Sequence, residues 1–263
     1  MKRIILVLTV AWAAATFVGC KSGGENSSAS RADSSRVVHD TIHDTVCVAT
    51  LPADTFTYNL PCQVVSIHPE KDGKALLFLW LHGGVYDQKI HNYYTHTPSN
   101  HWDNCAADNH IINYLRSHDI KAIALLPMCH KADRQQCVTW RECYTDVKAM
   151  IDQCVKKGLV DPKRIYVAGS SDGGRGTWDF VAQHPEVWAA AIAMSCSEPQ
   201  MTTVPTWFFN TRDESDCKQL VDNLKKRGSN IVKYEHFPQY PHGGDAAECT
   251  PELLDKFFSQ QRK

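Results

Sequence analysis

An α/β fold built on a mostly parallel sheet flanked by helices is what this 263-residue sequence predicts. Three observations predict it. Short continuous apolar runs alternate with stretches of helical spacing, the pattern of strands buried on both faces with helices laid over them. A glycine-framed serine turn stands between one such run and the next helical stretch. A histidine in a glycine-bearing loop follows the last run and precedes the final amphipathic stretch.

The chain opens with Met1-Lys2-Arg3 and an apolar run over residues 4–18. That reads as a secretory signal, too short and wrongly flanked for a spanning helix. It ends in Phe17-Val18-Gly19-Cys20, which resembles a bacterial lipobox. Residues 1–20 are therefore expected to direct export, with a lipid on Cys20 tying the protein to a membrane as a periplasmic or outer-membrane-anchored lipoprotein. Residues 21–54 are rich in serine, glycine and small polar residues at their start and carry the repeat His39-Asp40-Thr41-Ile42, His43-Asp44-Thr45-Val46. They bury too little apolar surface to fold and read as a tether. Residues 55–263 form the predicted domain.

Within it, residues 63–67, 75–81, 121–126, 164–168, 189–194, 206–210 and 231–236 read as strands. Residues 110–117, 144–157, 175–182, 216–227 and 251–260 carry apolar positions at helical spacing. Little chain separates the run ending at Met194 from the one starting near Pro205. A lid inserted there has no room, so no large cap domain is expected.

Charge is nearly balanced, with 28 Lys and Arg against 29 Asp and Glu. No basic stripe stands out, and nucleic acid is excluded as the expected partner. With Cys20 lipidated, ten of the eleven cysteines remain. An even count behind an export signal favours disulfides, with buried thiols as the alternative. Connectivity cannot be read from sequence, and bridges from Cys217 or Cys249 to Cys196 or another loop are one conceivable arrangement. There is no zinc-type spacing, so no metal and no cofactor are expected.

The chemistry gathers around Gly169-Ser170-Ser171-Asp172-Gly173-Gly174. A strand, a sharp G-x-S-x-G turn and a helix form a nucleophile elbow, and only Ser171 has glycines two before and two after. An acylated serine needs a base, a group to orient the base, and donors for the oxyanion. His242, in Tyr240-Pro241-His242-Gly243-Gly244, is the candidate base, ahead of His236 on the preceding strand. For the acid, Asp213 is chosen from Thr211-Arg212-Asp213-Glu214-Ser215-Asp216, with Glu214 next and Asp216 read as a helix cap. Leu81-His82-Gly83-Gly84-Val85 ends a strand. Backbone N–H groups at Gly84 and at Asp172 are the expected oxyanion hole.

Leu81-His82-Gly83-Gly84, the stretch from Val160 to Gly174, and His184-Pro185-Glu186-Val187-Trp188-Ala189-Ala190 together resemble the α/β-hydrolase esterases. Pro251-Glu252-Leu253-Leu254-Asp255-Lys256-Phe257-Phe258 is similar to the final helix of one branch of them. That branch holds secreted polyester depolymerases, feruloyl and acetylxylan esterases, and predicted peptidases. The resemblance covers residues 55–263 and implies a serine esterase acting on ester-bearing small molecules or on acetyl or feruloyl groups of polysaccharide. A serine peptidase on the same fold and an inactive glycan-binding lipoprotein are the alternatives. In two respects the chain departs from the family: the acid strand lacks the usual glycine before the acid, which makes Asp213 and Glu214 hard to separate, and Asp172 stands where the family usually has an apolar or neutral residue. A carboxylate there would oppose a forming oxyanion, so its side chain is expected to point away and to pair with Arg175. Tyr86, Trp102 and Trp140 are candidate rings for stacking on substrate, with loop packing as the alternative.

Overall fold

The computed structural model describes residue 60 and residues 62–84, 106–129 and 139–262. The chain divides into two units, Met1–Thr45 and Val46–Lys263, and every described residue belongs to the second. The expected signal, Cys20, the tether, Tyr86 and Trp102 lie outside the described residues.

Seven strands form one sheet: β1 (Cys62–Ile67), β2 (Ala75–Leu81), β3 (Ala122–Pro127), β4 (Val160–Ser170), β5 (Ala190–Met194), β6 (Thr206–Thr211) and β7 (Ile231–Phe237). Their order is β1-β3-β2-β4-β5-β6-β7. Only β1 runs antiparallel to its neighbour, and the remaining pairs are parallel. The helices are α1 (Ala106–Ser117), α2 (Trp140–Lys156), α3 (Asp172–Gln183), α4 (Lys218–Lys226) and α5 (Pro251–Phe258).

The apolar runs are continuous because the central strands are covered on both sides. Every residue of β2 is buried. Side chains alternate across a strand, so Leu77, Leu79 and Leu81 join Trp140, Val147, Ile151 and Trp178 from α2 and α3. Leu76, Phe78 and Trp80 join Ile111 and Leu115 of α1 and Leu254 and Phe257 of α5 on the other face. Each such side chain contributes about 1.5–3 kcal/mol when fully buried. Toward the end of the sheet at β7 burial falls off, and Val232 is 46% exposed. There Lys233 and Glu235 pair at 2.7 Å.

β5 ends at Met194 and β6 begins at Thr206, with no helix or strand between them, so no cap is inserted there. Helix α2 starts earlier than the spacing of its apolar residues predicts. Thr139 and Glu142 form a capping box that begins the helix at Trp140. This corrects the reading of Trp140 as a substrate-stacking ring. It is 3% exposed, and its indole N–H donates to the His82 carbonyl at 3.0 Å.

The disulfide reading also changes. Among the described residues, no disulfide joins Cys62, Cys129, Cys143, Cys154, Cys196, Cys217 or Cys249. Cys217 instead donates its thiol to the carbonyls of Ser197 and Ser215. Cys249 packs its sulfur 3.9 Å from that of Met194. Cys129 and Cys143 approach each other at 3.6 Å between sulfurs. Buried thiols, the other reading open to the sequence, describe Cys196 and Cys217.

Gly176 tests how tightly α3 is seated. A Cβ added there would lie 2.5 Å from Cβ of Trp140. Gly176→Ala is expected to cost about 1–3 kcal/mol through overpacking, read as a lower urea midpoint at unchanged slope. A midpoint equal to wild type would show that the two helices can part at no cost.

Candidate active site

Ser171 follows the last residue of β4 and precedes the first residue of α3. Its backbone takes φ 59° and ψ −119°, a conformation that costs a residue with a side chain about 1–3 kcal/mol. The turn is forced into this shape by neighbours that leave no space. A Cβ at Gly173 would lie 1.8 Å from the Leu81 carbonyl oxygen, and one at Gly174 would lie 2.4 Å from that of Met194. A Cβ at Gly169 would lie 2.4 Å from the Gly173 carbonyl oxygen. The glycines of the motif therefore let the start of α3 press between the ends of β2 and β5. The Ser171 N–H donates to the Met194 carbonyl at 3.0 Å. Its hydroxyl makes no capping bond to its own helix.

The end of β2 lies against this turn. A Cβ at Gly83 would come within 3.1 Å of the Ser171 Cβ and 3.7 Å of its Oγ, so any side chain there would crowd the nucleophile. His82 holds the segment in place. Its Nε2 accepts from the Cys129 N–H at 2.9 Å, which requires Nδ1 to carry the proton. Nδ1 then donates to the Gly83 carbonyl at 2.5 Å. His82 is buried, and the Trp140 indole bonded to its carbonyl braces it.

Gly84 and Asp172, the two expected oxyanion donors, lie side by side. A Cβ on Gly84 would be 3.5 Å from Asp172 Oδ2. The Asp172 N–H opens α3, where the first amides lack intrahelical acceptors and the helix dipole is positive. Arg175 donates to Asp172 Oδ1 at 2.7 Å, the pairing expected from the sequence. The expectation that the carboxylate points wholly away needs correction, because its other oxygen faces Gly84. The guanidinium offsets that charge in front of the forming oxyanion.

The base and its acid sit on two loops. His242 Nδ1 donates to Glu214 Oε1 at 2.5 Å. Glu214 Oε2 in turn accepts from the Thr211 N–H at 2.8 Å and its hydroxyl at 2.7 Å. The Glu214 side chain is only 7% exposed, whereas the His242 ring is 49% exposed. Asp213, the first choice from sequence, is corrected. Its carboxylate accepts from the backbone N–H of His242 at 2.7 Å rather than from the ring. The physical reason is reach. Glu214 folds back over the turn after β6, while the shorter Asp213 stays on the loop backbone. Asp216, read as the helix cap, accepts from the Lys218 N–H, but Cys217 holds the N-cap position of α4. His236 is no rival base, since its Nε2 donates to the Thr211 carbonyl at 2.9 Å.

A further group escaped sequence reading. Asp245 is fully buried. The Ser195 N–H donates to its Oδ2 at 2.8 Å and the Ser195 hydroxyl to its Oδ1 at 2.7 Å. The Ser195 oxygen accepts from the Gly243 N–H at 2.9 Å. Ser195 follows Met194, whose carbonyl holds the Ser171 N–H. The nucleophile and the histidine loop are thus each bonded to one of two consecutive residues at the end of β5. No group of His, Cys, Asp and Glu among the described residues is arranged to hold a metal.

The fold is that of the α/β-hydrolases, and it carries a glycine-framed serine turn and a histidine ring held by a carboxylate. The prolyl oligopeptidase family matches residues 139–207, from the cap of α2 to the start of β6. Acylamino-acid-releasing enzyme 1 of Oryza sativa subsp. japonica is 31% identical over 108 residues, covering 39% of this chain and 12% of that protein. The acylamino-acid-releasing enzyme of Arabidopsis thaliana is 35% identical over 69 residues, covering 24% and 9%. The chain therefore spans only about a tenth of the length of these relatives. Among solved structures, a thermostable esterase superposes with a TM-score of 0.56 at 21% identity, covering 77% of this chain and 60% of that one. A feruloyl esterase module from Clostridium thermocellum, solved with sinapinate, gives a TM-score of 0.53 at 12% identity, covering 78% and 87%.

Two predictions follow from the geometry. Glu214→Gln is expected to slow phosphonylation of Ser171 by a fluorophosphonate by about two to four orders of magnitude, through a misoriented histidine. Asp213→Asn is expected to slow it far less, and equal slowing would return the acid to Asp213. Burial pushes the Asp245 carboxyl up to about 6 from 3.8, against the hydrogen bonds from Ser195, which lower it. The folded chain then holds this proton where the unfolded chain has released it. Stability from this group is full below about pH 4 and is lost as pH rises through about 6. Asp245→Asn should flatten the urea midpoint over that window, and an unchanged slope in the variant would refute the assignment.

Proposed function

We propose that the chain is a serine hydrolase that cleaves carboxylic esters through an acyl-enzyme on Ser171. The observation that carries this reading is the strained Ser171 turn lying against Gly83 and the start of α3. The His242–Glu214 pair supplies the proton chemistry. Ser171 Oγ attacks the carbonyl carbon while His242 Nε2 takes the hydroxyl proton. The carbonyl oxygen becomes an oxyanion held by the backbone N–H groups at Gly84 and Asp172. One such donor is typically worth about 3 kcal/mol in the transition state. Collapse expels the alcohol, which takes the proton from His242. Water then repeats the sequence and frees the acid. Glu214 keeps the Nδ1 proton in place and stabilises the imidazolium.

The substrates proposed are acetyl or feruloyl esters of polysaccharide. Two observations favour them. No helix or strand is inserted between β5 and β6, the connection where a cap that would keep a polymer out is expected. The fold is shared with a feruloyl esterase module. Export with a lipid on Cys20 is part of the same proposal and accords with a polymeric substrate outside the cytoplasm.

A peptidase reading is favoured by one specific observation, the prolyl oligopeptidase match across α2, the elbow and β5. It predicts faster cleavage of acyl-aminoacyl amides than of esters. The inactive glycan-binding reading rested on Asp172 and on an unassigned acid. It loses ground with Arg175 beside Asp172 and Glu214 on the histidine ring.

Hydrolysis of p-nitrophenyl acetate, methyl ferulate and an N-acetylaminoacyl p-nitroanilide by wild type and Ser171→Ala separates the three. The expected result is ester turnover lowered at least about a thousandfold in Ser171→Ala, with the anilide the poorest substrate. Preference for the anilide would establish the peptidase, and equal traces from both proteins would sink the enzyme reading.

A further inference from the structure

We infer that Asp245 is a positioning residue for the histidine base, acting through Ser195. This rests on the reading of Ser171, His242 and Glu214 as a catalytic set. The linkage is continuous. Both carboxylate oxygens of Asp245 hold Ser195, and the Ser195 oxygen holds the Gly243 amide next to His242. Ser195 and Gly243 both have positive φ, 49° and 79°, so the two turns that meet here are sharp and hold specific directions.

A stability role explains this arrangement poorly. A buried carboxylate loses its hydration, and well-packed apolar residues commonly stabilise as much or more. Three groups bonded in series do, however, fix a loop that carries a base. His242 has Glu214 on its ring and Asp213 on its own amide, and the Ser195 bond pins the next residue. The ring then cannot swing without breaking one of these bonds. Misplacing a catalytic group by 1 Å can cost about a hundredfold in rate.

The charges around Asp245 are few. Glu214, from the turn after β6, raises its proton affinity. The thiol of Cys196, beside Ser195, is pushed up by burial and then by Asp245 itself. Helix α1 packs against the same short turn, Gly244–Glu248, and its described titratable residues are His110, Tyr114 and Arg116. Tyr114 donates its hydroxyl to Asp255. Glu214, on the turn after β6, holds the His242 ring, while Asp245, three residues beyond His242, holds the same loop through Ser195.

The test compares Asp245→Asn, Ser195→Gly and their double variant with wild type. Glycine accepts the positive φ at 195 and removes only the hydroxyl link. The expected outcome is a fall in kcat of roughly tenfold to a hundredfold in each single variant, with KM for p-nitrophenyl acetate little changed. The double variant should lose no more than the worse single, because both break one chain of bonds. The acidic limb of kcat/KM should move to lower pH in Asp245→Asn, since a loosened His242 loop weakens the bond between its ring and the Glu214 carboxylate. Wild-type kcat in both single variants, multiplying losses, or an unmoved acidic limb would overturn the inference while leaving ester hydrolysis intact. Should wild type show no Ser171-dependent turnover, the catalytic reading fails separately. NMR titration of the His242 ring then decides, since it needs no turnover. A lowered pKa in Asp245→Asn supports the link, and an unchanged one removes it.

Discussion

The backbone of α3 touches the backbone of β2 at Gly173, and the rest of the site depends on that contact. With the Leu81 carbonyl 1.8 Å from where a Cβ would be, no other residue permits the approach. Drawing the helix this close brings its first amides beside Gly84 and leaves Ser171 at the crest of a turn with positive φ. The strain of about 1–3 kcal/mol is matched by burying one or two side chains of the size of Trp178 or Phe180 beneath the same helix. The turn is therefore held by packing on both faces rather than by its own hydrogen bonds.

The site is assembled from parts distant in sequence, and the end of β5 joins them. Met194 and Ser195 are consecutive, and one receives the nucleophile's amide while the other receives the histidine loop's amide. β6 adds the acid through Thr211, which is bonded both to Glu214 and to His236. Strands laid parallel bring their C-terminal ends to one edge, and loops from several strands can then cooperate there. This explains how residues from 82 to 245 are linked along one edge of the sheet.

Much of the fold was legible because the central strands are covered on both faces and so read as unbroken apolar runs. The elbow was legible because its glycines have no substitute. The acid was not, since Asp213 and Glu214 share one turn and both touch His242. Only the direction of a longer side chain folding back to Thr211 tells them apart. Asp245 was hidden because an aspartate in a glycine-rich loop looks solvated, and nothing local reveals that Ser195, fifty positions earlier, encloses it. Trp140 was misplaced for want of one helix turn, begun by the box of Thr139 and Glu142. Cysteine number suggested bridges but not which sulfurs meet: Cys129 and Cys143 approach at 3.6 Å, whereas Cys217 donates to backbone carbonyls, a distinction that parity cannot reveal.

The sheet ends among the described strands at β7, where Lys233 and Glu235 face each other and the lysine also lies 5.4 Å from the centre of the Phe209 ring. A row of backbone donors and acceptors at a border invites another chain to add itself as an eighth strand. Adding one here would strip water from both charges and disturb their pairing. Charged side chains at such a border are a known deterrent to edge-to-edge association. The pair on β7 thus discourages a further strand from adding at this border.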